Sequence, residues 1–266
     1  MHFQGQRVII TGASAGIGAE LARQLSSRGA RVALASRRKE HLEQVAAGCR
    51  ELGGTPLVVP TDITDAAQCS ALVDEVVAAW GGLDMLINNA GRSMHALFQD
   101  ISNLDIFQRL MRVNYFGAVY CTHAALPHLL ATRGRVVAVS SLAGKAGIPT
   151  RTGYSAGKHA LHGFLDALRT ELHGTGVSVT IVCPSYVASG TRRYTVGAAR
   201  EDSDAARKAR AGAMSVQRCA GIILRAAARR RREVVMTLPG KLGRFVRPFF
   251  PGLIDRIARR KVGLGP

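Results

Sequence analysis

Residues 7–18 read RVIITGASAGIG, an apolar run that gives way at once to a turn of small residues and glycines. Arg7, Val8, Ile9 and Ile10 have the make-up of a buried strand, and after the turn Ile17, Leu21, Ala22 and Leu25 fall at helical spacing up to Gly29. A glycine-rich turn between a strand and a helix is the setting in which a dinucleotide pyrophosphate is bound. Gly12 permits the tight turn, Gly16 lets the backbone approach a phosphate, and Gly18 allows the helix to pack closely on the strand. The phosphates would rest at the helix N-terminus, where unpaired N–H groups and the dipole favour anions. The spacing is G-x-x-x-G-x-G, not G-x-G-x-x-G, and a glycine turn that binds nothing is the alternative.

Outward from this turn, strands and helices alternate. Strands are predicted at 7–10, 31–35, 56–60, 83–87, 135–139, 177–183 and 233–238. Helices are predicted at 38–52, 66–80, 104–130, 154–173 and 216–230, with a polar loop or lid over 189–211. In the helix at 154–173, Leu161, Phe164, Leu165, Leu168 and Leu172 form an inward stripe. Strands that are continuous apolar runs, separated by helices, mean a parallel sheet covered on both faces. The expected fold is α/β, a doubly wound parallel sheet of seven strands in three layers. Residues 1–239 would form it, and 240–266 would be an extension.

The 266 residues are 47% hydrophobic, enough for a large core. Five cysteines, an odd number without a CxxC pair or a His/Cys cluster, argue against a disulfide framework or zinc site. With no signal peptide or spanning apolar run visible, a cytoplasmic location is expected. The net charge is +18, and from Arg207 onward sixteen Lys or Arg residues face two acids. Such a balance fits nucleic acid, an anionic membrane surface or anionic ligands.

A second stretch, residues 140–158, reads SSLAGKAGIPTRTGYSAGK. Tyr154 and Lys158 stand four apart, on one face of a helix, with Ser141 upstream. A neighbouring ammonium is expected to lower the phenol's pKa, so that it can exchange a proton with an alcohol or ketone oxygen held by the serine. Two residues four apart can also be a coincidence on a solvated face. At the end of the second strand, where an acid binds the ribose hydroxyls of a cofactor lacking a 2′-phosphate, the chain has Ser36 and then Arg37, Arg38 and Lys39. A guanidinium suits a phosphate, so NADP(H) is predicted over NAD(H), with Arg37 first; a solvated helix start is the alternative. Asn88, Asn89, Ala90 and Gly91 follow the fourth strand, where small residues and amides suit an adenosine ribose. Asn114, a poor helix former inside the long predicted helix, marks either a distortion or a polar group facing a cavity.

These features in this order (TGASAGIG, NNAG, Asn114, Ser141, YSAGK) resemble the short-chain dehydrogenase/reductase family in its compact single-domain branch, over roughly residues 5–240. VSSLAG, GYSAGKHAL and LRTEL are similar to the hydroxysteroid dehydrogenase-like reductases of lipophilic substrates. The resemblance implies oxidation or reduction at a CH–OH carbon with Tyr154 as acid and base. Lys158 would bind the nicotinamide ribose, Ser141 polarise the carbonyl, and Asn114 hold a relay water. Gly12, Ser14, Ala15, Gly16, Ile17 and Gly18 would surround the phosphates. Asp62 and Ile63 would border the adenine, and Asn89, Ala90 and Gly91 the adenosine ribose. Pro184, Val187 and Ser189 would meet the nicotinamide, with Ser189 replacing the family's Thr and Ser185 its Gly. A homodimer or homotetramer is implied by the same resemblance. A binding or scaffold protein of this fold is the alternative, and the intact Ser141, Tyr154 and Lys158 argue against it.

The substrate is expected to be a lipophilic carbonyl or alcohol, because Met94, Leu97, Phe98 and Tyr186 would line an apolar pocket. Beyond Pro239, apolar residues from Leu242 to Ile257 recur at steps of three and four among Lys241, Arg244, Arg247, Arg256, Arg259 and Arg260. Pro248, Pro251 and Gly252 would split this basic amphipathic stretch into two short helices. It could pack on the domain, roof the pocket, pair two copies or lie on an anionic membrane. No signature of nucleic-acid recognition accompanies the charge.

Overall fold

The protein is described by a computed structural model covering residues 3–188 and 212–261. The segment 189–211, including Ser189, lies outside the described residues. Seven parallel strands form one sheet in the order β3-β2-β1-β4-β5-β6-β7. They are β1 (Arg7–Thr11), β2 (Arg31–Ser36), β3 (Leu57–Pro60), β4 (Met85–Asn88), β5 (Arg135–Val139), β6 (Ser178–Cys183) and β7 (Glu233–Val235). The helices are α1 (Gly16–Ser26), α2 (Lys39–Arg50), α3 (Ala66–Trp80), α4 (Asp105–Met111), α5 (Gly117–Thr132), α6 (Thr152–Glu171), α7 (Val216–Ala228), α8 (Leu238–Val246) and α9 (Pro251–Lys261).

Side chains alternate across a strand, so a strand covered on both faces must be apolar at every position. β1 shows the consequence. Val8 and Ile10 join a core with Leu21, Leu25, Leu42 and Ile223 from α1, α2 and α7. Ile9 points the other way, into a core with Leu72, Val76, Leu129 and Leu165 from α3, α5 and α6. Parallel neighbours keep the phase, with Val8 beside both Val32 and Met85.

Helix ends follow local chemistry. Asp65 caps α3 by accepting from Ala67 N at 2.9 Å and Gln68 N at 3.3 Å, and Gly81 ends it with φ +74°. The long helix predicted over 104–130 is instead three pieces, because a π-helical turn, Arg112–Phe116, separates α4 from α5. β7 is also shorter than the predicted strand at 233–238. Thr237 accepts from Gly240 N at 3.3 Å, and Pro239 suits a first turn, so the chain enters α8 at Leu238.

The strand starts are tied as well. Arg7 donates to Asp84 from its backbone N and its Nε at 2.8 Å and from Nη2 at 2.9 Å, bracketing β1 against the start of β4. Burial pushes the Asp84 carboxyl up, but the Arg7 hydrogen bonds and the Arg7 and Arg135 charges outweigh it and hold the group below its ordinary value. A lowered native pKa means stability present above the unfolded value and lost as pH falls through the native one. Asp84→Asn should therefore cost about 1–2 kcal/mol at neutral pH in urea unfolding, with the difference from wild type closing as pH drops below about 4. An identical gap at neutral and acid pH would remove this account.

Candidate active site

The sheet order turns back between β1 and β4, and the strand ends splay there into a crevice, the place where open α/β sheets bind ligands. A cleft of about 640 Å³ opens at that edge. It runs from the glycine turn past Ser36, Arg37 and Arg38 at one end to Ser141, Tyr154, Lys158 and Tyr186 at the other.

The glycine turn is built by exclusion. Gly12 has φ +65°, and a Cβ there would stand 2.8 Å from Ala90 Cα. A Cβ on Gly18 would stand 2.3 Å from the Gly12 carbonyl oxygen, so α1 seats directly on the turn. Gly16 has φ +55° and opens the helix. Ala15, at the N-cap, has no side-chain hydrogen bond to the first turn of α1. A cross-tie fixes the turn to β4. Thr11 Oγ1 accepts from Asn89 N at 3.0 Å and Ala90 N at 3.1 Å and donates to Ile87 O at 3.4 Å. Asn89 Nδ2 donates to Thr11 O at 2.9 Å and Gly12 O at 3.2 Å, so that amide nitrogen shapes the turn.

Of the residues predicted for the cofactor, Gly12, Ser14, Ala15, Ile17, Arg37, Arg38, Asp62, Ile63, Asn89, Ala90, Gly91, Pro184 and Val187 line this one cleft. Gly16 and Gly18 shape it from behind. Ser36 Oγ is buried and has no hydrogen-bond partner among the described residues, beside exposed Arg37. Asp62 Oδ1 accepts from Thr64 N at 3.0 Å and Thr64 Oγ1 at 2.8 Å, which holds the loop after β3.

At the other end α6 carries Tyr154 to the cleft wall and buries Lys158 one turn later. Lys158 Nζ donates to Val139 O at 3.0 Å. Burial draws the Lys158 ammonium down to about 8. The phenol departs from expectation. Lys158 Nζ is 5.9 Å from the Tyr154 ring centroid, and burial pushes the Tyr154 hydroxyl up, against the Ser141 hydroxyl and the Arg151 charge that draw it down. Ser141 Oγ accepts from Ala143 N at 3.2 Å and so caps the short 3-10 turn Leu142–Gly144.

Asn114 resolves the choice left by the sequence in favour of a distortion. It sits buried in the π turn, its Nδ2 donating to Leu110 O at 3.0 Å and Arg92 O at 2.9 Å, its Oδ1 accepting from Arg92 N at 3.2 Å. A Cβ on Gly91 would stand 3.0 Å from that Oδ1 and 3.5 Å from Lys158 Nζ, so the glycine leaves room between amide and ammonium.

Some expectations about the pocket wall change. Met94 is buried with Ile106 and Leu110, and Phe98 is exposed against Phe107; neither lines the cleft, and nor does Leu97. Arg92, Ser93 and His95 from that segment do, together with Arg151, whose guanidinium lies 5.4 Å from the Tyr186 ring centroid. Met94 packs into the small core, while Ser93 and His95 on either side of it line the cleft. A buried network behind Ser141 was also unforeseen. Ser140 Oγ lies 2.9 Å from His162 Nε2, and Cys183 Sγ 3.7 Å from the same nitrogen. Burial and the Lys145 charge bring His162 down to about 4, so it is neutral. Its signal was available: His162 stands four residues after Lys158 and one after Leu161, on the inward face of α6.

The family model described as short chain dehydrogenase matches residues 6–198. A "Dehydrogenase/reductase SDR family protein 7-like" of Anopheles gambiae is 38% identical over 88% of this chain and 76% of its own length. An "11-beta-hydroxysteroid dehydrogenase-like 4A" of Arabidopsis thaliana is 40% identical over 74% of this chain, which spans 66% of that relative. Among solved structures, a short chain dehydrogenase/reductase from Burkholderia phymatum in complex with NAD is similar with TM-score 0.84, 25% identity and 96% of each chain covered.

Gly18→Ala tests the close seat of α1 on the turn. Forcing a methyl against the Gly12 carbonyl should cost about 1–3 kcal/mol in denaturant unfolding. Wild-type stability in that variant would show that the turn has room the geometry denies it.

Proposed function

The chain belongs to the short-chain dehydrogenase/reductase family of oxidoreductases, and within it we propose an NADP(H)-dependent enzyme that interconverts a ketone or aldehyde and an alcohol on a lipophilic small molecule. The observation that carries the reading is the convergence of Ser141, Tyr154 and buried Lys158 on one end of a cleft whose other end is the glycine turn and Arg37.

The cleft fits a nicotinamide dinucleotide by its own features. The side-chain-uncapped start of α1 presents backbone N–H groups to a pyrophosphate, and the glycine positions exclude every Cβ that would fill its place. The unpartnered Ser36 hydroxyl and the Arg37 guanidinium supply a donor and a cation where a 2′-phosphate would lie. Ser36, not a carboxylate, stands at the end of β2. Arg37 and Arg38 would hold that phosphate, Asp62 and Ile63 the adenine edge, and Pro184 and Val187 the nicotinamide side. Bound there, the nicotinamide supplies or accepts the hydride.

The protein's share is the proton and the orientation. Tyr154 donates its phenolic proton to the carbonyl oxygen in reduction and takes it back in oxidation. Ser141 donates a hydrogen bond to the same oxygen and fixes its direction. Lys158, charged for the most part below pH 8, favours the phenolate once the proton has left. The Asn114 π turn keeps the space behind Lys158 open, and a water there would return protons from solvent. Val113, Pro184, Tyr186 and Val187 give the lipophilic substrate apolar contact, while Arg92, Ser93, His95 and Arg151 orient its polar end.

Tyr154→Phe should lower NADPH-dependent carbonyl reduction about a hundredfold or more, with NADPH binding retained in fluorescence titration; a fully active variant removes the mechanism. Arg37→Ala should raise the KM for NADPH about tenfold and leave that for NADH unchanged. Equal loss with both cofactors would count against a 2′-phosphate at Arg37.

A further inference from the structure

Helices α8 and α9 expose the side chains that an amphipathic helix ordinarily hides. Leu238, Leu242, Phe245 and Phe249 follow steps of four, three and four, one stripe along α8 and the turn after it, and they are 78%, 65%, 62% and 78% exposed. Leu253 and Ile257, four apart and so on one face of α9, are 47% and 43% exposed. Isolated exposed apolar residues need no explanation, but a contiguous set of this size marks an interaction surface.

The opposite side of α8 is committed to the domain. Gly240 lies so close to Leu142 that a Cβ would stand 2.6 Å from Leu142 Cδ2. Arg244 Nη1 bonds Glu233 Oε1 at 2.9 Å, the same carboxylate pairs with Lys145, and Arg247 donates to the Lys145 carbonyl. The exposed stripe is therefore held outward, pinned to the loop that follows Ser141.

Charge selects the occupant. Residues 238–261 hold seven Lys or Arg residues against one acid, Asp255, and Lys241, Arg256 and Arg260 border the stripe. A second copy would bring two such basic rims together, whereas a surface of anionic headgroups complements them and takes the apolar side chains into its boundary layer. Among the described residues no helix is long and apolar enough to cross a membrane, and α8 and α9 have 9 and 11 residues. We propose that α8 and α9 form a docking surface for an anionic lipid bilayer, lying in its interface with the stripe of Leu238 to Ile257 buried. This surface is independent of the chemistry in the cleft.

The test is co-sedimentation of the full chain with vesicles of phosphatidylcholine alone and of phosphatidylcholine with phosphatidylserine. Wild type is expected to pellet with the phosphatidylserine vesicles and stay in solution with the others. Phe245→Ser/Phe249→Ser and Lys241→Glu/Arg256→Glu/Arg260→Glu should each bind about tenfold or more weakly. All these side chains are exposed, so both variants should keep the wild-type thermal unfolding curve, which is measured alongside. Wild type remaining in the supernatant, equal pelleting with phosphatidylcholine alone, or variants that pellet like wild type would each overturn the proposal. So would light scattering that shows a wild-type dimer, dissociated by the phenylalanine variant, with no vesicle binding.

Discussion

Thr11 and Asn89 join the ends of two adjacent parallel strands at the one place where the sheet reverses its order. A single such hydrogen bond contributes on the order of 1 kcal/mol net. Its weight here lies in what stays unsatisfied without it: the carbonyls of Thr11 and Gly12 face the interior of the turn and have Asn89 Nδ2 as donor. The tie decides where the glycine turn stands, and the turn decides where α1 begins. The residue before Asn89 carries the constraint into the helical layer, since Asn88 Nδ2 donates to Thr122 Oγ1 on α5 at 2.9 Å. Position at the crevice is thus set by backbone polar groups that must be paired, with apolar packing holding the strands on either side.

The Tyr154 end of the cleft obeys the same economy of buried polar groups under a harsher condition, because one of them is an ammonium. Lys158 leaves water for a single carbonyl of β5, and burial lowers its pKa accordingly. An α-helix through 112–116 would have kept a regular backbone ladder past Asn114. The π turn spends that regularity to put an amide against Arg92 and Leu110, within a glycine's width of the ammonium. Behind Ser141, neutral His162 meets Ser140, while Glu233 gathers Lys145 and Arg244. The C-terminal helices are in this way connected to the strand end that carries the serine.

Much of this was legible in the order of residues. Glycines flanked by a strand and a helix, Ser36 with Arg37 and Arg38 where an acid could stand, and Tyr154 and Lys158 one helical turn apart are local patterns with local reasons. Asn114 was legible as an anomaly, since a poor helix former inside an apolar helix needs a cause. The cause itself was hidden, because its partners Arg92 and Leu110 come from another loop and from the preceding turn. Met94 misled for a related reason: apolar character says that a side chain will be buried, and only packing says whether in a core or along a pocket.

The sequence by itself determined the succession of strands, the sheet's parallel character, the glycine turn and the placing of Tyr154 and Lys158 one helical turn apart. Each follows from periodicity or from conformational freedom, which act over a few neighbours. Tertiary structure alone decided the electrostatic state of those residues and the fate of the C-terminal stripe. Tyr154 is pushed up because burial outweighs the Ser141 hydrogen bond and the Arg151 charge, while the Lys158 ammonium turns to Val139, a balance set by depth and distance. The stripe faces outward because Glu233 and Lys145 hold the other side of α8, and no spacing along the chain records which side of an amphipathic helix the domain will take.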